Sequence, residues 1–84
     1  MKITSIKSPP EGCELWSGMA IKDGNRFQWF IEPDGSLFHV LEEDLVCSIR
    51  ESIRTGEERN CFMNVEPPPG SKETVLKAIK GSMS

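Results

Sequence analysis

Two Asp-Gly pairs, Asp23-Gly24 and Asp34-Gly35, constrain this chain more than any other feature. They punctuate the stretch ELWSGMAIKDGNRFQWFIEPDGSLFHVL over residues 14–41, whose flanking segments are rich in aromatic and β-branched side chains. Asp-Gly between runs of that kind is a hairpin signal, because the glycine accepts the left-handed backbone that a tight reversal needs. The stretch is therefore expected to fold as a three-strand antiparallel meander.

Read as a type I turn followed by a left-handed glycine, each pair closes a three-residue loop, so Ile21 faces Asn25 and Glu32 faces Ser36. Carried along the strands, this register gives one face three rows: Leu15, Ile31, Leu37; Ser17, Trp29, His39; and Met19, Phe27, Leu41. The other face receives Trp16, Phe30 and Phe38 in one cross-strand row, flanked by Gly18, Gln28 and Val40. A two-residue loop at 23–24 would instead bring Trp16 and Gly18 beside Ile31 and Trp29 and dissolve the row, since a one-residue slip reverses every side chain.

Outside the meander, KITSIK at 2–7 reads as a first strand, ended by Pro9 and Pro10, which cannot continue a hydrogen-bonded ladder. In LEEDLVCSIRESIRTG, residues 41–56, the apolar positions Leu45, Val46, Ile49 and Ile53 have helical spacing, acids open the segment, arginines close it, and Gly56 is a natural stop. NCFMNVEP at 60–67 alternates as a further strand. Ser71 then caps a short helix over 72–80 carrying Val75, Leu76 and Ile79, ahead of Gly81. No linker divides the chain. The expectation is one α+β domain over 1–84, with a mainly antiparallel sheet and two helices packed on it.

The first helix is expected to cover the face holding Leu15, Met19, Phe27, Trp29, Ile31 and Leu37, so that its four aliphatic side chains close the core. The row Trp16, Phe30, Phe38 with Gln28 and Val40 is then the candidate partner-binding surface, because three aliphatics on the second helix can hardly cover three large aromatics. Its poverty in charge suits a protein partner or a homodimer. Sheet aromatics can also stack single-stranded bases, but the chain has 10 Lys+Arg against 13 Asp+Glu, a net charge of −3, and lacks the basic footprint of nucleic-acid binding.

Nothing in the sequence assembles an active site. Cys13, Cys47 and Cys61 lack Cys-x-x-Cys spacing, and His39 is the only histidine, so neither a zinc site nor a disulfide framework is suggested and all three thiols are expected to be free. Cys47 falls in mid-helix rather than at a helix N-terminus, where a thiolate would be stabilised. Glu42, Glu43 and Asp44 point in different directions and do not converge on an ion. PPPG at 67–70 lacks the spacing of a polyproline ligand and reads as a rigid connector. No catalytic residue, metal or cofactor is expected. The opening MKITSIKSPPEG has no apolar segment and no run is long enough to span a bilayer, which points to a reduced cytoplasmic setting away from membranes.

The order of meander strands, helix and further strand is similar to the truncated ribonuclease H-like domain of HicB-type antitoxins, with EPDGS at 32–36 where that family carries an Asp-Leu-Pro-Gly-like turn. The resemblance implies an alternative to a plain interaction module: an antitoxin-like or regulatory protein acting on a toxin or nucleic acid as a dimer.

Overall fold

The computed structural model describes residues 1–83. It contains strands β1 (Lys2–Lys7), β2 (Trp16–Lys22), β3 (Asn25–Ile31) and β4 (Phe38–Glu43), helix α1 (Leu45–Thr55), strand β5 (Phe62–Val65) and helix α2 (Ser71–Met83). The strands form one antiparallel sheet in the order β1-β2-β3-β4-β5. This is the α+β architecture the sequence predicts. Helix α2 runs through Gly81, and the Ser71 hydroxyl donates to the Pro68 carbonyl (2.6 Å) instead of capping the helix.

The register differs from expectation at both hairpins, by one residue each. Lys22 pairs with Asn25, leaving Asp23-Gly24 as a two-residue loop with φ of 51° and 79°. Positive φ at both positions is the turn that matches the right-handed twist of the flanking strands. At the second hairpin Ile31 pairs with Phe38. The Glu32 N–H donates to the Leu37 carbonyl (3.1 Å), and the Gly35 N–H turns back to the Glu32 carbonyl (2.9 Å). Asp34 Oδ1 accepts from the Ser36 N–H at 2.8 Å, while the Ser36 hydroxyl donates to Glu32 Oε2 at 2.9 Å. These bonds satisfy a longer loop than three residues and fix the slip.

Its consequence is a different core. Gly18, Ala20, Phe27, Trp29, Ile31 and Val40 now share one face, with Trp29 and Ile31 fully buried. Gly18 is required there: a β-carbon at 18 would collide with the Trp29 ring and the Ser5 carbonyl oxygen. Trp29 Nε1, lying over that gap, donates to the Met19 carbonyl (3.2 Å).

The helices exchange their expected roles. Val75 and Ile79 of α2, one turn apart, complete the buried cluster, with Leu76, Met1, Ile3 and Val65 around it. In α1 the only buried residue is Ser48. The expected packing of Leu45, Val46, Ile49 and Ile53 onto the sheet does not occur: they are 53%, 67%, 60% and 78% exposed.

Candidate interaction surface

The row Trp16, Phe30, Phe38 does not form. Trp16 and Phe38 flank Ile31 on the core face, pack against the buried cluster and stay half-buried, while Phe30 lies on the reverse face between Ser17 and His39. Val40, expected on the same surface, is 2% exposed. Gln28 is on the reverse face with Phe30. Trp16 edges a shallow cleft of about 420 Å³ with Pro9, Cys13 and Glu32. Phe38 edges a separate one of about 310 Å³ with His39 and Pro67. The five residues therefore do not make one surface, and the turn geometry is the physical reason.

Helix α1 carries the apolar surface instead. Its start is well determined: Asp44 is the N-cap, its carboxylate accepting the Cys47 N–H at 3.0 Å. Its end is equally so, since Gly56 takes the left-handed conformation (φ 75°) and donates its N–H to the Ser52 carbonyl. Between these caps the helix is amphipathic in an inverted sense. Cys47, Ser48, Ser52 and Thr55 lie on one side, and Leu45, Val46, Ile49 and Ile53 on the other.

The small polar side faces the rest of the protein. The Cys61 N–H donates to Ser48 Oγ (2.9 Å) and the Asp44 N–H to the Cys61 carbonyl (2.9 Å). Ser52 Oγ accepts the Arg59 N–H (2.9 Å) and lies 3.2 Å from the Arg59 carbonyl oxygen, to which it donates. Cys47 and Cys61 are joined in a disulfide, with Cα atoms 5.9 Å apart. This corrects the expectation of three free thiols: Cys13 alone is free, and it is exposed. Cys47 in this state is no nucleophile, and His39 is exposed on β4 opposite Phe30.

Charges frame the helix. Arg26 donates through Nε to Glu43 Oε1 (3.2 Å), pairs through Nη2 with Glu43 Oε2, and reaches Asn60 Oδ1 at 3.2 Å. The hydrogen bond to Glu43, and then its charge, raise the Arg26 pKa above its ordinary value. The Glu43 side chain is only 3% exposed, so the pair serves a buried carboxylate at the end of β4. Arg54 donates to Glu51 (2.8 Å), and this bond holds the Glu51 carboxyl below its usual pKa. Among the described residues no group of three or more metal-ligating side chains is assembled, and no helix is long and apolar enough to cross a membrane.

The inward side of α1 holds a hint that sequence reading could have used. Cys47, Ser48, Ser52 and Thr55 are small and uncharged, with Glu51 alone among them charged, whereas a solvent-facing helix side normally carries several long charged residues. The chain matches no protein-family model, no curated protein and no solved structure.

Proposed function

We propose that this chain is a non-catalytic protein-interaction module that associates with a second copy of itself through the apolar side of α1. The observation that carries the reading is the inverted helix: four aliphatic side chains, each more than half exposed, on an element whose polar side is fastened inward.

The shape of the molecule supports a second copy. Its radius of gyration is 14.0 Å, against about 12 Å for a compact chain of this length. Its accessible surface is 5734 Å² at a mass of 9.4 kDa. A folded monomer of that mass exposes roughly 5,000 Å², so the excess is about 700 Å², close to the roughly 800 Å² that each partner contributes to a stable interface.

Charge selects the orientation. Asp44 caps the start of α1, and Arg50 lies toward its end with Arg54, which is paired with Glu51. An antiparallel pair places the acidic end of each helix beside the basic end of the other and opposes the two macrodipoles, whereas a parallel pair superposes like charges. Leu45 then packs near the second copy's Ile53, and Ile49 near its own twofold mate. Two-fold, self-complementary contacts of this kind are the commonest in soluble oligomers.

Burying the four side chains contributes about 1–2 kcal/mol each per copy. The gross gain, roughly 8–16 kcal/mol over both copies, is set against an association cost of about 4–15 kcal/mol, so a weak, concentration-dependent dimer is expected. Sedimentation equilibrium of the wild type and of Ile49→Asp tests this. The wild type is expected to dimerise, and the variant to stay folded and monomeric, because its side chain is already 60% exposed. A wild type that remains a monomer at millimolar concentration, or an Ile49→Asp protein that dimerises as well as the parent, overturns the proposal.

A further inference from the structure

We infer that the Cys47–Cys61 disulfide is a redox latch that keeps α1 in the conformation presenting its apolar side. The inference rests on the reading of α1 as the self-association surface. Most helices in small domains are held by an apolar face buried against the core, and it is this packing that makes a short helix stable. Helix α1 lacks it: its apolar side chains face outward and its only buried residue is Ser48. At 11 residues it is also shorter than the roughly 12–15 at which even favourable isolated helices become stable in water.

What fastens α1 converges on two residues before β5, Arg59 and Cys61. Arg59 exchanges hydrogen bonds with Ser52 Oγ, and Cys61 is bonded through its N–H to Ser48 Oγ and through its carbonyl to the Asp44 N–H. The disulfide, closing a sequence separation of 14, is the one covalent tie in this set, and Cα atoms 5.9 Å apart lie within the ordinary span of such a bridge. Both cysteines are half-buried rather than enclosed, which leaves the bridge within reach of a thiol.

The reductant is a dithiol. One of its thiolates attacks a sulfur of the bridge, the S–S bond breaks, and the displaced cysteine sulfur leaves as a thiolate that takes up a proton. The second thiol of the reductant, after losing its proton, attacks the mixed disulfide, frees the other cysteine and closes the reductant's own disulfide. Two electrons and two protons pass from the dithiol to Cys47 and Cys61. Helix α1 is then held by hydrogen bonds at a partly solvated site, and the fraction of chains presenting the ordered stripe falls. Apparent affinity falls with that fraction, and does so for each copy in the pair.

The test is sedimentation of the Cys13→Ser protein, which removes the exposed thiol, with and without dithiothreitol, alongside far-ultraviolet circular dichroism. Reduction is expected to weaken dimerisation at least tenfold, with a loss of helix signal, and reoxidation to restore both. The double variant Cys47→Ser/Cys61→Ser should behave as the reduced protein while retaining the buried-tryptophan fluorescence of the sheet. Equal dimerisation in the two redox states overturns the latch and leaves α1 as the association surface. A monomer in both states overturns the latch together with the reading beneath it, and two free thiols in the air-oxidised Cys13→Ser protein overturn the latch directly.

Discussion

Replacing Gly18 by alanine tests the register on which the whole arrangement depends. In the structure Gly18 pairs with Trp29, and a β-carbon there would meet the Trp29 ring and the Ser5 carbonyl oxygen. Backbone on one side and a fully buried indole on the other leave no flexible group to yield. Accommodating the methyl group displaces the ring, a strain of about 1–3 kcal/mol or somewhat more for overpacking a tight core. It also endangers the Trp29 Nε1 bond to the Met19 carbonyl, worth roughly 1 kcal/mol. Removing glycine from a strand returns about 0.5–1 kcal/mol in backbone entropy. The net loss is about 1–4 kcal/mol, which for a domain of this size lowers Tm by roughly 5–25 °C. Urea denaturation followed by tryptophan fluorescence measures it. With three-residue loops, Gly18 would lie on the face opposite Trp29 and alanine would be neutral or stabilising. A Gly18→Ala protein as stable as the parent therefore refutes the two-residue turn at Asp23-Gly24.

Two further outcomes follow from the same packing. Arg26→Met leaves Glu43 buried without its cationic partner and should cost about 1–3 kcal/mol, reduced from the figure for a sealed pair because Arg26 is 48% exposed; denaturation as stable as the wild type would show that Glu43 does not depend on it. Alkylation of the native oxidised protein should label Cys13 alone, with Cys47 and Cys61 becoming reactive only after reduction, and mass spectrometry finding three modified cysteines without reductant would contradict the bridge.

The element order, the end of α1 and the antiparallel sheet were legible in the sequence because they follow from local chemistry: Asp-Gly reversals, helical spacing, acids opening the helix and Gly56 after it. The register was not. Asp-Gly serves both two- and three-residue loops, and the choice between them reverses every side chain. Gly18 and Trp29 held the deciding information as a pair, since an indole that lies across its neighbour strand needs a residue without a side chain beside it. For α1 the spacing of Leu45, Val46, Ile49 and Ile53 shows that they share a side, but spacing is silent on whether that side meets the chain's own sheet or another molecule. Val75 and Ile79 fill the core face themselves, so that side of α1 does not meet the chain's own sheet. The disulfide was hidden for a related reason: Cys47 and Cys61 have no motif spacing and meet because Asp44 and Ser48 both bond Cys61.

The most direct test of the account is an isotope-filtered nuclear Overhauser experiment on oxidised protein, mixing chains labelled with carbon-13 at isoleucine, leucine and valine methyls with unlabelled chains. Antiparallel association through α1 predicts contacts between copies from Leu45 to Ile53 and between the two Ile49 side chains, at concentrations where sedimentation finds dimer. A dimer whose contacts between copies run through Phe30, His39 or the β5 edge, with the α1 methyls showing none, would contradict it.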